Sequence, residues 1–491
     1  MKRSYLTGLF LAALLIISIS KSVFGQEWTE PVNISNLGGY SKDPDMVIDH
    51  NGVIHVVWTF QNSAYHWLIM YTKSEDDGHT WSEPLDLLQN TDLKMSQPHI
   101  ACNSKNHLYV SYTHDGYSWT PEGRLIKMLT WDGHQWTKPI VVSEGMPGSH
   151  YNNVIIDYND RVYVFWDHGP SGDDYYRFFE NNVWSEAFCP YPGGDETFAL
   201  MEAVIDADNS LHWIGSSLGA IYYGERLQYF YWDNFQNTWF SPENPSNDTI
   251  QPGKDIGLDR SNNPETAYRK KSINPIYGGD ATKHTKKEGT SWLAPDLVSG
   301  TDKRQVGQQI AIDQNNDVHV VETEFYASSV SETQLVHYFK VNDNWFGQAI
   351  DSSNHMCHFP TLLYNRNCLY VVYRHSNASG TGDLRFSKYD IITNIEEETN
   401  QSPKLKIYPN PSYGNVYIEF ENNKQQHIKL SVLDMNGKLF TTLANEVLLP
   451  GNQQILWNGK DQYGKKVQSG SYIVRLKSGR KTIAGKVEVI R

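Results

Sequence analysis

The fold is decided by a phrase that first appears as Trp28-Thr-Glu-Pro31 and returns as Trp81-Ser-Glu-Pro84, Trp136-Thr-Lys-Pro139, Trp239-Phe-Ser-Pro242 and Trp292-Leu-Ala-Pro295. With Trp184 and Trp345, seven tryptophans stand 53, 55, 48, 55, 53 and 53 residues apart. The segments between them have the patterns of β-strands. A repeat of about 50 residues that is built from strands is typical of a β-propeller, in which each repeat forms one blade.

Each repeat contains the same pair of strands around a tight turn. Blade one reads Met46-Val-Ile-Asp49, then His50-Asn-Gly52, then Val53-Ile-His-Val-Val-Trp58. The aspartate that ends the first strand returns as Asp157, Asp206 and Asp313. This pattern predicts an inner strand, an Asn/Asp/Gly turn and a second strand. A third strand follows, such as Trp67-Leu-Ile-Met-Tyr71, and the next tryptophan phrase supplies the fourth.

The repeat also predicts how the ring closes. Blade seven spans Phe359 to Tyr389 without its own tryptophan phrase, whereas blade one is preceded by an extra phrase at Trp28. We therefore predict seven blades over residues 26–390, with the N-terminal strand completing the last blade. Such closure removes exposed sheet edges that promote aggregation. The expected fold class is all-β, a seven-bladed β-propeller followed by a small β-sandwich.

One turn between outer strands has a recognisable motif. The segment Ser74-Glu-Asp-Asp-Gly-His-Thr-Trp81 resembles the aspartate box of sialidase-like propellers, and Trp131-Asp-Gly-His-Gln-Trp136 is a decayed copy. In those proteins the box is a structural turn and not a catalytic element. The resemblance therefore supports the fold and implies nothing about chemistry.

The repeat stops after Tyr389, and a second domain follows. Residues 391–404 are polar and are predicted to be a linker. Beyond them come Leu405-Lys-Ile-Tyr-Pro-Asn-Pro411, Val432-Leu-Asp-Met-Asn-Gly437, Trp457-Asn-Gly-Lys-Asp461 and Gly470-Ser-Tyr-Ile-Val-Arg-Leu476. These motifs closely resemble the C-terminal sorting domain of proteins exported by the type IX system of Bacteroidetes. The resemblance implies a small β-sandwich over residues 405–491 that the type IX secretion machinery recognises and that is often removed.

Composition and the N-terminus restrict the class of protein. The chain has 491 residues and a net charge of -14, which argues against a general affinity for nucleic acid or anionic membranes. Residues 1–25 have the pattern of a signal peptide, with Lys2 and Arg3 before an apolar run from Leu9 to Ile17. No later segment is apolar enough for a membrane-spanning helix. We expect an exported monomer, secreted or at the cell surface.

The four cysteines leave several interpretations open. Buried or free thiols are the first interpretation; export also permits a disulfide, for which Cys357 and Cys368 are the nearest pair. The segment His355-Met-Cys-His358 places three potential metal ligands together, so a structural zinc or calcium ion at His355, Cys357 and His358 is a third interpretation. No cofactor is expected to be required for catalysis.

Strand ends should bring polar side chains from all blades to one rim of the ring, because a hairpin returns the chain to the end where it started. Second strands end in His114, His168, Lys270, Glu324 and His375, with Arg269 and Arg374 one residue earlier, and inner strands begin with His99, His150, Asn152, Asn153, Glu202, Lys254 and His358. Single charged residues at strand ends are often only solvated. As a set, they indicate an anionic ligand, and nearby aromatic and amide groups suit a sugar.

Two reaction classes fit these residues. A glycoside hydrolase needs two carboxyl groups facing each other, and the rim offers Glu202 and Glu324, with Asp45 and Asp255 as further candidates. A sialidase is disfavoured because Arg269 does not belong to an evident arginine triad. The first alternative is therefore a hydrolase that uses Glu202 and Glu324.

The second class, β-elimination on a uronic acid, needs three other groups. A cation or amide neutralises the carboxylate, a base removes the C5 proton, and an acid protonates the leaving oxygen. The predicted catalytic residues are His150, His168, Tyr268 and Arg269, with Tyr223 as an alternative to Tyr268. The residues predicted to bind substrate are Asn152, His114, Tyr223, Arg226, Lys270 and Arg374.

The segments Gly148-Ser-His-Tyr-Asn-Asn153 and Phe165-Trp-Asp-His168 resemble those of the ulvan lyases and related polysaccharide lyases of marine bacteria. Those enzymes are exported seven-bladed propellers with paired histidines, tyrosine and arginine. The resemblance implies a secreted lyase that cleaves a uronate-containing, sulfated, ulvan-like polysaccharide. The glycoside hydrolase and a non-catalytic carbohydrate-binding propeller remain as alternatives, which the absence of an unsaturated uronate product would favour.

Overall fold

The computed structural model describes residues 27–89, 94–115, 123–169, 173–190, 198–218, 225–271, 280–300, 303–325, 333–341, 343–351, 356–376, 381–391, 405–422, 426–434, 439–478 and 481–490. The regular elements within these ranges are β-strands β1 to β36. They fall into two compact units, one covering Trp28–Ile391 and the other containing the strands after residue 404. The described residues include no helix long and apolar enough to cross a membrane.

The larger unit consists of antiparallel meanders of consecutive strands. Blade one is β2 (Tyr40–Ile48), β3 (Ile54–Gln61), β4 (Trp67–Ser74) and β5 (Leu85–Asp86). Blade two is β6 (Met95–Cys102), β7 (Leu108–His114), β8 (Leu125–Trp131) and β9 (Ile140–Val141). Blade three is β10 (Ser149–Ile156), β11 (Val162–His168), β12 (Asp173–Glu180) and β13 (Val183–Trp184). Blade four is β14 (Phe198–Ile205), β15 (Leu211–Leu218), β16 (Glu225–Asp233) and β17 (Thr238–Trp239).

The last three blades continue the pattern. Blade five is β18 (Thr249–Leu258), β19 (Pro264–Lys270), β20 (Ala281–Glu288), β21 (Ser291–Trp292) and β22 (Asp296–Leu297). Blade six is β23 (Arg304–Ile312), β24 (Val318–Phe325), β25 (Thr333–Val341) and β26 (Asn344–Asp351). Blade seven is β27 (Met356–Asn365), β28 (Cys368–Ser376) and β29 (Gly382–Asp390), with β1 (Val32–Asn33) on its outer edge.

The first strands of the blades form a closed ring. In the order β2, β6, β10, β14, β18, β23 and β27, each strand contacts the next, and β27 contacts β2 again. The unit is therefore a seven-bladed β-propeller, as the tryptophan repeat predicted. Its second strands are almost continuously buried between neighbouring blades, for example in β3 and β11.

The turns after the inner strands hold the ring together at one rim. Asp49 is typical, because its carboxylate accepts the backbone N–H groups of Asn51 and Val53 at 2.9 and 2.8 Å. The turn of one blade also donates a backbone N–H to a side chain of the next turn, as from His50 to Asn106 at 3.1 Å. The same link recurs at Ser104–Asp160, Tyr158–Asn209 and Arg260–Asn316. These bonds explain why the repeat requires Asp and Asn at its turns.

The N-terminal strand completes blade seven. Val32 and Asn33 pair with Phe386 and Arg385 of β29, and the Thr29 N–H donates to the carbonyl of Lys388 at 2.8 Å. Trp28 is 9% exposed and packs against Tyr389, with ring centroids 5.4 Å apart. The first and last parts of the propeller therefore share one sheet.

The aspartate box has a structural role, as its resemblance implied. Asp76 accepts the Thr80 N–H at 2.8 Å, and the Ser74 hydroxyl accepts the Gly78 N–H at 2.9 Å. Gly78 has φ +87°, and a Cβ there would lie 2.1 Å from Phe386 of blade seven. Glycine is therefore needed both for the turn and for the close contact between the two blades.

The C-terminal unit contains two antiparallel sheets. One consists of β30 (Lys406–Tyr408), β31 (Val416–Asn422) and β34 (Gly451–Trp457). The other consists of β32 (Gln426–Leu433), β33 (Leu439–Leu448), β35 (Gly470–Ser478) and β36 (Lys481–Val489). Val416 and Trp457 of the first sheet share one buried core with Leu430 and Val474 of the second. The unit is thus a small β-sandwich with a core of its own.

Candidate functional site

Three types of strand end meet at the rim opposite the aspartate turns. In blade three, Ser149 at the start of β10 pairs with His168 at the end of β11, and His168 pairs with Asp173 at the start of β12. The rim is thus lined by the starts of first and third strands and by the ends of second strands. A register shift interrupts β10 between His150 and Asn152, and every other inner strand has one near its start.

His150 and His168 lie together on this rim and are held by the same short segment. His150 Nδ1 lies 3.1 Å from the Gly148 carbonyl oxygen, and His168 Nε2 lies 3.1 Å from the Pro147 carbonyl oxygen. A carbonyl can only accept a hydrogen bond, so these two nitrogens carry the protons. The carbonyls thereby select the tautomer, and the basic nitrogen is Nε2 in His150 and Nδ1 in His168.

The surroundings of His150 favour its neutral form. Burial lowers the pKa of His150, and the nearby charges of Arg124 and His168 lower it further, whereas the bond to Gly148 raises it. Its Nε2 lies 3.9 Å from a carboxylate oxygen of Asp167, which is beyond hydrogen-bonding distance. Burial in turn raises the pKa of Asp167 to about 7. His150 is therefore available as a base near neutral pH.

Two residues beside the histidines were missed by the sequence analysis. Arg124 directly precedes β8, and its carbonyl oxygen accepts the Gly148 N–H at 2.9 Å. Tyr175, in β12, makes an edge contact with His168, with ring centroids 5.9 Å apart. Both residues lie at or near the start of a third strand, whereas the sequence analysis considered only first and second strands. The signal that could have revealed them is their position at the start of a third strand, since third strands also begin on this rim.

Asn152 was predicted to bind substrate, and the structure places it in contacts between blades. Its side chain is 4% exposed, accepts the Ser111 hydroxyl, and donates to the Gln97 carbonyl at 2.8 Å and to Thr113 at 3.3 Å. These bonds join the inner strand of blade three to blade two. Asn152 therefore supports the position of β10 at the site.

Tyr268, Arg269 and Lys270 lie in blade five, whereas the histidines lie in blade three. Tyr268 is fully buried and donates to Asp248 at 2.8 Å, and Lys270 lies 3.0 Å from the same carboxylate. Burial raises the pKa of Tyr268 far above its ordinary value. Arg269 donates through two nitrogens to Asp280. The structure thus places these residues in two separate groups, with Tyr268 and Lys270 at Asp248 and Arg269 at Asp280.

The remaining predicted residues are dispersed around the rim. His114 ends β7 and pairs with Met95 and Leu125, while Arg226 is exposed in β16 and pairs with Ser217. Arg374, at the end of β28, stacks on Tyr40 of blade one. Tyr223 and His355 lie outside the described residues.

The expected metal site has two described members. Cys357 is fully buried, and burial lowers the pKa of His358 to about 4. Among the described residues, no group of three or more His, Cys, Asp and Glu side chains is arranged to hold a metal ion. Among the described residues, Cys357 and Cys368 form no disulfide, so the disulfide interpretation does not hold in this structure.

The two glutamates of the alternative hydrolase site, Glu202 and Glu324, contact different partners. Glu324 is 2% exposed and is held by Lys303 and Tyr338, both at 2.6 Å. Glu202 lies on the inner strand of blade four and accepts a hydrogen bond from Asn153 at 3.1 Å. Burial raises the pKa of Glu202 to about 7, while His99 lowers it. The two glutamates therefore occupy different networks and do not form an evident acid–base pair.

Comparison with known proteins identifies the second domain and the fold of the first. Residues 406–490 match a family model described as a secretion system C-terminal sorting domain. This match supports export to the cell surface or outside through the type IX system. No curated protein matches the chain.

Solved structures share the propeller fold at low identity. An ulvan lyase from a new polysaccharide lyase family, bound to a glucuronate–rhamnose-3-sulfate ligand, has 12% identity and a TM-score of 0.51, covering 73% of this chain and 95% of that chain. A Dyadobacter fermentans protein of unknown function has 11% identity and a TM-score of 0.48, with coverages of 75% and 100%. A Penicillium chrysogenum α-L-arabinanase has 10% identity and a TM-score of 0.43, with coverages of 60% and 94%.

Proposed function

We propose that the protein is an exported polysaccharide lyase that cleaves a uronate-containing, sulfated polysaccharide by β-elimination, with His150 and His168 as its proton-transfer pair. The single observation that carries the proposal is the anchoring of both histidines to the carbonyls of Pro147 and Gly148. This arrangement leaves Nε2 of His150 able to accept a proton, and the charge of Arg124 acts on that ring. The similarity to an ulvan lyase fold supports a carbohydrate-active enzyme of this class.

The proposed reaction assigns one task to each group. Arg124 neutralises the uronate carboxylate, which makes the C5 proton acidic. His150 Nε2 takes that proton, the C4–O bond breaks, and a double bond forms between C4 and C5. The leaving oxygen receives a proton from the Tyr175 hydroxyl, or from His168 in its imidazolium form, in which Nδ1 also carries a proton. We assign no step to Arg269, whose guanidinium pairs with Asp280.

Two alternatives receive less support from the same structure. A glycoside hydrolase would need Glu202 and Glu324 to face each other, yet Glu324 is paired with Lys303 and Tyr338. A non-catalytic propeller would not need histidines held in a single tautomer. Either alternative would leave a uronate polymer without the unsaturated product of elimination.

The proposal is tested by incubating the full chain with polyuronates and following the ultraviolet absorbance of the new double bond. Substituting His150→Ala or His168→Ala should lower turnover on the order of 100-fold or more, the scale typical of general acid–base groups. The matched control is His134→Ala, which removes an exposed histidine from an outer loop. If Glu202→Gln and Glu324→Gln abolish activity while both histidine variants retain it, the hydrolase interpretation replaces the lyase.

A further inference from the structure

A second cluster of polar and aromatic side chains lies on the same rim, around blade seven. We call it the blade-seven cluster, and it consists of Tyr40, Arg304, Phe325, His358, Phe359 and Arg374. Each member lies near the start of an inner strand or at the end of a second strand, as the histidine pair does. The cluster belongs to blades six, seven and one, whereas the histidine pair belongs to blade three.

Arg374 is the most constrained member. It is 5% exposed, its guanidinium carbon lies 3.9 Å from the centre of the Tyr40 ring, and its Nη1 donates to the Tyr40 hydroxyl at 2.6 Å. A Cβ at Gly382 would lie 2.7 Å from its Nε, so the glycine provides the space for the side chain. Within the described residues, that Nε has no hydrogen-bond partner. The guanidinium is thus packed by an aromatic ring and a glycine, and its described hydrogen bond goes to a neutral oxygen.

Arg304 brings a second guanidinium to the cluster. It is exposed, and its guanidinium carbon lies 5.3 Å from the centre of the Phe325 ring. Phe325 in turn contacts His358, with ring centroids 5.2 Å apart. His358 feels the charges of both arginines in addition to its burial, which together lower its pKa to about 4. His358 pairs with Arg374 across β27 and β28, and it contacts the Phe325 ring over which Arg304 lies, so both arginines neighbour this one histidine.

A nearly buried guanidinium is unfavourable unless an anion or several acceptors satisfy it. Arg374 is such a group, and the exposed Arg304 adds a second positive charge to the cluster; arginine binds carboxylates and sulfates through paired hydrogen bonds. Phe359 is 48% exposed and has φ +52°, so it offers an aromatic face beside the cations. Exposed aromatic faces beside charged groups are suited to sugar rings.

We propose that the blade-seven cluster is a binding subsite for an anionic sugar residue, whose carboxylate or sulfate ester contacts Arg304 and Arg374. The inference rests on the proposed function for the identity of the ligand as a polysaccharide. The subsite holds the chain across the rim, on blades that take no part in proton transfer. It therefore contributes affinity, and the histidine pair contributes turnover.

Binding is measured by affinity electrophoresis of the full chain at low salt, in gels that contain polygalacturonate, dextran sulfate or neutral dextran. All variants are made in a His150→Ala background so that no polymer is cleaved. The parent should be retarded by one or both anionic polymers and not by dextran. Arg304→Gln and Arg374→Lys should each raise the dissociation constant about tenfold, as expected for the loss of one charge-assisted contact. The matched control, Arg260→Gln, removes an exposed arginine from the opposite rim and should leave binding unchanged.

The polymer that the arginine variants bind more weakly identifies the anionic group that the subsite recognises. Loss with polygalacturonate indicates a carboxylate, and loss with dextran sulfate indicates a sulfate ester. Because Arg304 is exposed, its variant keeps the test informative even if Arg374→Lys does not fold. Equal binding by the parent and Arg304→Gln, or equal retardation by dextran, would overturn the subsite. Since turnover is not measured, failure here leaves the lyase proposal standing, and failure of the lyase assay leaves this result standing.

Discussion

At the scale of single residues, backbone carbonyls determine what the two site histidines can do. Gly148 and Pro147 each accept one imidazole N–H, and this fixes opposite tautomers in His150 and His168. Each ring therefore keeps one nitrogen that can accept a proton, Nε2 in His150 and Nδ1 in His168. The proposed proton transfer depends on this short segment as much as on the histidines themselves.

A buried carboxyl group in blade six has a predictable effect on stability. Glu322 is fully buried at a position that holds Trp58, Trp166 or Tyr373 in other blades. Burial raises its pKa from 4.5 to about 7, although the hydrogen bond from Thr282 opposes the rise. The folded state thus holds the proton more tightly than the unfolded state. Stability should be fully present below pH 4.5 and should decline as the pH rises to about 7.

The substitution Glu322→Gln should remove this decline, because glutamine keeps the shape of the protonated acid. We expect the variant to gain about 1–3 kcal/mol of unfolding free energy over the parent at pH 8 and little at pH 4. Denaturant unfolding at the two pH values measures the difference. An equal effect at both pH values would show that Glu322 is not protonated in the folded protein near neutrality.

The sequence predicts a site residue only where the hairpin pattern of a single blade is enough to place it on the rim. His150 and His168 were correctly placed on one rim because they flank the first hairpin of one blade. Arg124 was missed because it precedes a third strand, which follows a loop of unpredictable length. The sequence also does not reveal that Asp280 pairs with Arg269, since their meeting depends on the register of β19 and β20.

At the scale of elements, the N-terminal segment closes the ring through Trp28 and the two paired residues of β1, Val32 and Asn33. Trp28 is 9% exposed and lies between His337 of blade six and Tyr389 of blade seven. The substitution Trp28→Ala should lower the free energy of unfolding by about 3 kcal/mol, because it leaves a large cavity at the closure. Thermal and denaturant unfolding provide the measurement.

Phe235→Ala is the matched control, since Phe235 is 97% exposed in an outer turn. It should leave stability within about 0.5 kcal/mol of the parent. If Trp28→Ala were no more harmful than Phe235→Ala, closure by the N-terminal strand would contribute nothing to stability. Deletion of residues 26–36 should have a still larger effect than the point substitution.

The strands were predictable from the sequence because tryptophan and aspartate recur at nearly fixed intervals. The irregularities within the strands were not predictable. Every inner strand has a register shift near its start, which determines which side chains face the axis. Blade seven also differs at its turn, where Arg366 and Asn367 adopt φ +47° and +66° in place of the aspartate turn. That geometry is typical of a two-residue hairpin, and it recurs at Asn181 and Asn182 in the outer turn of blade three but not in the first turns of the other blades.

At the scale of the whole molecule, the chain combines two units with separate cores. The propeller unit covers Trp28–Ile391, and the sandwich has its own buried cluster around Trp457. Removal of residues 392–491 should leave the melting temperature and activity of the propeller unchanged and should abolish export. Calorimetry, a lyase assay and fractionation of cells that express the shortened chain test the three expectations. Loss of activity in the purified propeller would place part of the site in the C-terminal unit.

The central claim is that the protein cleaves its substrate by elimination at the histidine pair. It is tested most directly by measuring whether oxygen from water enters the products. The full chain is incubated with a sulfated polyuronate in water enriched in oxygen-18, and the new chain ends are analysed by mass spectrometry. Elimination adds no water, so we predict unsaturated, unlabelled products from the parent protein and almost none from His150→Ala. Saturated products that carry oxygen-18 would show that the protein is a hydrolase and would contradict the account.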